Sequence, residues 1–213
     1  MSHRADVVNL LRQFGWAALR NVTRSQFIEL GHSLGTPWSG LTGIVEELRI
    51  LGRDEVTTRS LSSIYGRGPF PLHTDFAHYT MPPRYVLLRN ASTIPVRPTT
   101  LQPLDDVSRS EIVERLLRRR VWVIRGGKMA FYAPVLFGKG AYVRWDSACM
   151  FPGALGRDAL EAWKSCLESA APLAFEWDTQ SVLALDNWRV LHGRAAIAAN
   201  SDRDRVLERI VVS

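Results

Sequence analysis

The sequence predicts a mainly β protein with flanking helices, folded as a jelly roll or a similar barrel. Short apolar runs separated by turn residues recur along the chain. Helical patterns gather near the N terminus and in one central insertion, and no internal repeat is present. The 213 residues suffice for one well-buried core, so we expect a single domain over residues 1–213.

Four segments show apolar residues at helical spacing together with helix start or stop signals. Thr23 with Gln26 and Ser108 with Glu111 are both capping-box patterns. The predicted helices are residues 5–14, the segment from Thr23 to Gly35, the segment from Ser108 to Arg120, and a segment that starts at Asp158 and ends before Pro172.

The remaining apolar runs are short, and glycine, proline or Asp-Asn turns separate them. Between residues 41 and 66 the chain lacks a long helical period, and residues 66–71 combine two glycines and two prolines that break regular structure. The predicted strands are residues 16–22, 84–89, 121–124, 129–137, 141–145, 182–185, 188–192 and 206–212.

Two histidines and one aspartate form the most informative pattern. His73 and Asp75 are two positions apart, so on a β-strand their side chains point to the same face and can meet one ion. With His192 they match the two-histidine, one-carboxylate triad that holds non-heme Fe(II) on one face and leaves the other open. Arg205 and Arg209, near the end of the sequence, suggest that an anion occupies that open face.

Other uses of these residues are open from the pattern alone. Either histidine could be a satisfied core residue and Asp75 a turn residue. A zinc hydrolase also uses two histidines and an acid, but the helical His-Glu-x-x-His spacing is missing. His78 has the opposite strand parity from His73, so we assign it to the surroundings of the site or to the surface.

The composition permits an enzyme without specifying one. The net charge of +6 comes almost entirely from arginine and favours anionic small molecules, nucleic acid or an acidic partner. Nucleic acid is disfavoured because the arginines are scattered and no aromatic-basic register accompanies them. No apolar run is long enough for a membrane span or a secretory signal, so we expect a cytoplasmic protein, with Cys149 and Cys166 as reduced thiols.

Four motifs in order resemble the taurine dioxygenase and clavaminate synthase-like superfamily over nearly the whole chain. They are Pro71–Asp75, Pro82-Pro83, Leu185–Arg194 and Arg205–Arg209, and the segment from Phe14 to Gly35 resembles the N-terminal strand and helix of that family. The resemblance implies a double-stranded β-helix, the cupin-like form of the jelly roll. It also implies an oxygenase that uses Fe(II), 2-oxoglutarate and O2 and releases succinate and CO2.

The resemblance assigns roles to individual residues. His73, Asp75 and His192 would bind iron. Arg209 would bind the distal carboxylate of 2-oxoglutarate with Arg205 alongside it, and the Thr100 hydroxyl would contact the same carboxylate, although Thr99 is adjacent and the paired glycines of the family are absent. Halogenases related to this family carry a small residue in place of the aspartate. The intact Asp75 therefore implies hydroxylation, or a related desaturation or cyclisation.

Substrate contacts are harder to assign. The candidates are polar residues in apolar or turn surroundings, and each could equally form a structural ion pair. An arginine and an aspartate together could hold the two ends of a zwitterion, which favours an amino-acid-like substrate. The candidates are Tyr65, Arg67, Arg84, Arg144 and Asp146.

The chain is short for the family it resembles. The segments between Thr100 and Asp186, which build lids in relatives, have little room here. The pocket is therefore expected to be open, suiting a large or carrier-borne substrate, or to be covered by another subunit of a homo-oligomer. A double-stranded β-helix that has lost turnover and serves as a binding or scaffold protein is the alternative function.

Overall fold

A computed structural model describes residues 2–40, 43–52, 55, 61–94, 96–127, 129–138, 142–154, 156–195 and 205–213. The helices are α1 (Ser2–Phe14), α2 (Arg24–Leu34), α3 (Leu61–Tyr65), α4 (Glu111–Arg119) and α5 (Arg157–Glu168). The first seven strands are β1 (Trp16–Leu19), β2 (Glu46–Arg49), β3 (Phe70–His73), β4 (Tyr85–Asn90), β5 (Thr99–Pro103), β6 (Trp122–Gly126) and β7 (Met129–Ala133). The remaining strands are β8 (Leu136–Phe137), β9 (Tyr142–Val143), β10 (Met150–Pro152), β11 (Leu173–Phe175), β12 (Val182–Asp186), β13 (Val190–Arg194) and β14 (Val206–Val212).

Two antiparallel sheets face each other and form the core of the jelly roll. One sheet has the order β1-β12-β4-β14-β2 and the other the order β11-β5-β13-β3. Val86, Leu183 and Leu207 of the first sheet pack with Leu101 and Val190 of the second in one buried cluster. Because successive side chains of a strand alternate between faces, residues two apart from these also point between the sheets. The predicted fold class, a double-stranded β-helix with flanking helices, is confirmed.

The N-terminal helices cover the outer face of the five-stranded sheet. Val7 of α1 and Phe27 of α2 are fully buried against Leu87 and Ile210, which lie on the face opposite to the jelly-roll interior. The predicted capping box at Thr23 is present, since its hydroxyl accepts from the Gln26 backbone N–H. These helices therefore bury the side of the sheet that faces away from the candidate site.

The central insertion covers the outer face of the four-stranded sheet. Helices α4 and α5, the sheet β10-β6-β7 and the hairpin of β8 and β9 enclose a cluster that includes Trp122, Trp145 and Trp163, and Leu191 of β13 packs against it. The segment that was expected to have little room thus has a core of its own. Within the described residues, no helix is long and apolar enough to cross a bilayer.

Several local predictions were wrong for identifiable reasons. Helix α4 begins at Glu111 rather than Ser108, because Ser110 is the N-cap and its Oγ accepts from the Val113 N–H. Pro134 has no N–H to donate and interrupts the predicted strand 129–137, which becomes β7 and β8. Pro71 lies inside β3 rather than in a break, a position that an edge strand tolerates. Strands β2, β5, β10 and β11 and helix α3 were not predicted.

Candidate metal centre

Strand pairing brings the two histidines together. β3 and β13 are antiparallel neighbours, and His73 and His192 are direct cross-strand partners, with ring centroids 4.6 Å apart. Partners in such a register point to the same face. That face is the jelly-roll interior, because Val190, two residues before His192, belongs to the buried cluster between the sheets.

Asp75 reaches the cluster from a turn rather than from a strand. β3 ends at His73, so strand alternation, on which the sequence-based expectation rested, does not place Asp75. Instead the Asn187 side chain fixes the Asp75 backbone: Oδ1 accepts from the Asp75 N–H at 2.9 Å, and Nδ2 donates to the Asp75 carbonyl at 3.0 Å. Between His73 and Asp75, the Thr74 N–H donates to the Trp145 carbonyl at 2.7 Å, which anchors the turn to the insertion.

Three donor atoms converge in a geometry suited to one metal ion. Asp75 Oδ1 lies 3.4 Å from His73 Nε2 and 3.7 Å from His192 Nε2, and the three residues are buried. First-row metals bind imidazole nitrogen and carboxylate oxygen at about 2.0–2.2 Å, which places neighbouring donors about 3 Å apart. The His73 Nδ1–H donates to the Pro71 carbonyl at 2.9 Å, which leaves Nε2 as the lone-pair donor. The residues therefore fit a divalent metal.

Charge coupling within the cluster favours the ionised carboxylate. Although burial alone would raise the pKa of Asp75, Arg209 and the two imidazoles hold that pKa well below its usual value. Burial lowers the pKa of His192, and nearby His73 lowers it further, against the effect of Asp75. For His73 the effect of burial is outweighed mainly by Asp75, so its pKa is raised. Asp75 is therefore the anionic member of the three-residue cluster.

Arg209 lies directly against the Asp75 carboxylate. Its Nη1 donates to Asp75 Oδ2 at 2.8 Å, and its Nη2 donates to Glu46 Oε2 at 2.7 Å. Its guanidinium carbon is 4.8 Å from the centre of the Phe76 ring. Because Oδ2 is occupied in this way, Oδ1 is the oxygen that faces both histidines.

The other two residues assigned to the cosubstrate lie elsewhere. Arg205 is buried immediately before β14, four positions from Arg209 and on the same face by alternation, so its Cα is roughly 13 Å further along the strand. Thr100 pairs with Gly193, while Thr99 pairs with Arg194. By this register Thr100 points away from the face of His192, and the structure does not bring it to the cluster. Thr99 shares the His192 face.

The five candidate substrate contacts separate into different surroundings. Arg84 pairs with Asp186 at 3.2 Å and stacks near Trp188, and exposed Arg67 pairs with Glu55. Tyr65 OH lies 3.4 Å from Ser147 Oγ, one residue beyond Asp146. Asp146 is buried close enough to affect the pKa of His73, after burial and Asp75. Arg144 lines a separate cavity that no metal-cluster residue lines.

Some residues of the site had no assigned role in the sequence. Glu46 lies on β2, which was not predicted. Its contact with Arg209 follows only from the pairing of β2 with β14. Phe76 has a backbone φ of 57°, which no sequence signal at a phenylalanine indicates. Asn187 stood within the quoted Leu185–Arg194 motif, but its two bonds to Asp75 depend on a turn that only the folded chain forms.

Gly193 is the residue that allows the two histidine strands to pair closely. A Cβ at this position would lie 2.6 Å from the Phe70 carbonyl oxygen and 2.8 Å from Thr100 Oγ1. We expect Gly193→Ala to lower the free energy of unfolding by about 1–3 kcal/mol, because the backbone of β3 must shift. Urea unfolding measures this loss. Gly40→Ala, where a Cβ would approach only the Gly43 carbonyl oxygen at 3.8 Å, should change the midpoint little.

The fold of this chain is similar to that of several iron oxygenases of known structure. OrfP, a non-heme iron oxygenase solved with Fe, succinate and (3S)-hydroxy-L-Arg, has a TM-score of 0.75 and 21% identity over 97% of this chain and 77% of its own. Asparagine oxygenase, with Fe(II), 3-hydroxyasparagine and succinate, has a TM-score of 0.78 and 17% identity over 99% and 79% of the two chains.

A third neighbour is PvcB of Pseudomonas aeruginosa, with a TM-score of 0.72 and 18% identity over 98% of this chain and 79% of its own. No protein-family model matches the sequence, and no curated protein matches it. At these identities the similarity establishes the shared fold.

Proposed function

We propose that this protein is an Fe(II)- and 2-oxoglutarate-dependent oxygenase. The observation that carries the proposal is the convergence of His73 Nε2, Asp75 Oδ1 and His192 Nε2 in the interior of a jelly roll. Two imidazoles and one carboxylate are the ligands of non-heme Fe(II) oxygenases. Iron bound there would supply activation of O2 coupled to oxidative decarboxylation of 2-oxoglutarate. In that reaction one oxygen atom would enter succinate, CO2 would be released, and the other oxygen atom would become the hydroxyl group of the product.

Arg209 of β14 and Arg205, immediately before that strand, supply charge for an anionic cosubstrate. Arg209 lies beside Asp75, and Arg205 is buried four residues earlier in the chain, immediately before β14. A dicarboxylate with one end at the metal would extend along β14 toward Arg205, because strand alternation puts both arginines on the face of Leu207, which lies between the sheets. We therefore assign the distal carboxylate to Arg205, with Thr99 as the hydroxyl on the same face as His192, in place of Arg209 and Thr100.

This assignment predicts different behaviour for two variants. Arg205→Met should weaken 2-oxoglutarate binding about tenfold or more, the effect of losing a charged hydrogen bond, and leave Fe(II) binding unchanged. Arg209→Met should weaken both, because Asp75 loses its charged partner. Anaerobic titration of the Fe(II) protein with 2-oxoglutarate, followed by the metal-to-ligand charge-transfer band, measures both constants. Unchanged 2-oxoglutarate affinity in Arg205→Met would contradict the assignment.

An amino-acid-like substrate is part of the proposal. Asp146 is buried near His73, and a carboxylate in that position suits the ammonium group of an amino acid. OrfP and asparagine oxygenase, which share the fold, were solved with hydroxylated amino acids. The Tyr65 hydroxyl contacts Ser147, the residue after Asp146, so we keep Tyr65 as a second candidate substrate contact. Arg67 and Arg84 are better explained by their ion pairs.

The decisive experiment is succinate formation. Protein with Fe(II), 2-oxoglutarate and O2, screened against the proteinogenic amino acids, should release succinate in proportion to a product whose mass is higher by one oxygen atom. The alternative is a scaffold protein that keeps the barrel without turnover. Absence of both the charge-transfer band and succinate would favour this scaffold function over the oxygenase.

Location and assembly complete the proposal. The free thiols of Cys149 and Cys166 fit a reducing compartment, and we place the protein in the cytoplasm on that ground. A carrier-borne substrate and a homo-oligomer remain parts of the proposal. Size-exclusion chromatography with light scattering tests the second.

A further inference from the structure

A cavity of about 340 Å³ lies in the central insertion, outside the metal centre. This volume is at the lower end of the range of small-molecule pockets. The edge strand β7, the segment after the Asp75 turn and the β8 hairpin form its walls. Its principal lining residues are Thr80, Met81, Phe131, Tyr132, Phe137 and Arg144.

Arg144 is the unusual member of this lining. It is only 3% exposed, yet the one hydrogen bond of its side chain among the described residues is from Nη2 to the Thr80 carbonyl at 2.6 Å. Its Nε and Nη1 are buried without an acceptor in the described part of the chain. By contrast, buried Arg89 pairs with Glu208, and Arg209 pairs with Asp75 and Glu46.

The surroundings of Arg144 compensate its charge only in part. The guanidinium carbon lies 5.2 Å from the centre of the Phe131 ring and 5.6 Å from that of Phe137. Cation–π contacts of this kind contribute about 0.5–2 kcal/mol, whereas a buried charge without a counter-ion costs several kcal/mol. Burial accordingly lowers the pKa of Arg144 to about 10. An anion in the cavity would remove this cost.

The chemistry of the walls narrows the class of anion. Rings and aliphatic side chains make up most of the lining, which favours a ligand with an apolar or aromatic body. One guanidinium balances one negative charge, so a phosphate dianion would leave a charge uncompensated. A carboxylate also matches the planar donors of arginine in a bidentate arrangement. We propose that this cavity is a second binding site, for a small carboxylic acid with an apolar body whose carboxylate pairs with Arg144.

Ligand entry requires a small movement of Arg144. Its Nε and Nη1 are turned away from solvent, so the guanidinium rotates from the Thr80 carbonyl into the cavity when the carboxylate arrives. Tyr132 and Met81, which are 73% and 56% exposed, stand at the wall and supply apolar contact for the body of the ligand. None of these steps involves the metal cluster, so the inference stands apart from the oxygenase proposal.

The test is a calorimetric titration of 3-phenylpropionate into the full chain without metal or 2-oxoglutarate. We expect saturable binding, and at least tenfold weaker binding of the neutral 3-phenylpropionamide. Arg144→Met should weaken acid binding at least tenfold. Arg125→Met should leave it unchanged, because Arg125 is an exposed arginine that stacks on Phe151 away from the cavity.

A second variant tests the proposal independently in case Arg144→Met does not fold. Ala133→Leu narrows the cavity and keeps Arg144, so it should weaken acid binding as well. Absence of binding to the wild-type protein overturns the proposal. Equal affinity for acid and amide also overturns it, as does wild-type affinity in folded Arg144→Met protein. If Arg144→Met does not fold, the proposal is tested by two other results. These are the ratio of the affinities for the acid and the amide, and the affinity of Ala133→Leu for the acid.

Discussion

Replacing His73 or His192 by alanine is expected to weaken Fe(II) binding by about a hundredfold or more and to abolish succinate formation. Each histidine supplies one of three donors, and loss of residues that only support metal ligands already costs tenfold to a hundredfold. The charge-transfer band with 2-oxoglutarate should disappear in both variants. Equilibrium competition against a colorimetric Fe(II) chelator measures the change in affinity.

The matched control for this experiment is His32→Ala. His32 lies on the exposed face of α2, away from the cluster, so iron binding and succinate formation should equal those of the wild-type protein. A His192→Ala protein that keeps both the band and turnover would show that the convergence of the three donors is structural only.

Replacing Asn187 by alanine is expected to lower the free energy of unfolding by about 3 kcal/mol or more. The Asn187 amide makes three buried hydrogen bonds, to the Asp75 N–H, the Asp75 carbonyl and the Pro83 carbonyl. Each buried group left without a partner costs about 1–3 kcal/mol. Chemical denaturation measures the loss. Fe(II) affinity should fall as well, because Asp75 is no longer held in its turn.

Asn9→Ala, on the exposed face of α1, is the control and should change stability by less than about 0.5 kcal/mol. If Asn187→Ala unfolds at the wild-type denaturant concentration, the turn that carries Asp75 is held by other contacts. If stability falls while Fe(II) affinity stays the same, the amide supports the fold and not the ligand geometry.

The sequence predicts the fold class and the ligand set because both depend on local or repeated signals. The helical spacing before Gly15 and the capping pair Thr23 and Gln26 produce the predicted helices. The short apolar runs become paired strands, among them the last one, Val206–Val212, which matches its predicted bounds. His73, Asp75 and His192 are of residue types that bind iron, and the folded chain brings them together.

The parts that escape prediction depend on register between distant strands. Whether Thr99 or Thr100 faces the jelly-roll interior is decided by the pairing of β5 with β13, and a shift by one residue would exchange them. Glu46 meets Arg209 only because β2 pairs with β14. The position of Arg209 beside Asp75 likewise depends on contacts between segments that are far apart in the sequence. Arg144 and Asp146, a candidate pair in the sequence, diverge because only Arg144 lines the insertion cavity.

The direct pairing of His73 with His192 has a consequence for how the protein matures. The two histidines come from β3 and β13, and the whole central insertion lies between them in the chain. A metal ion that binds both histidines would therefore act as a cross-link that closes this loop of the chain. If the protein is the proposed oxygenase, both histidines come together only when β13 pairs with β3, so we expect iron to bind after that strand pair has formed. Metal loading would then mark the end of folding, and the metal-bound protein should resist opening of the strand pair that holds it.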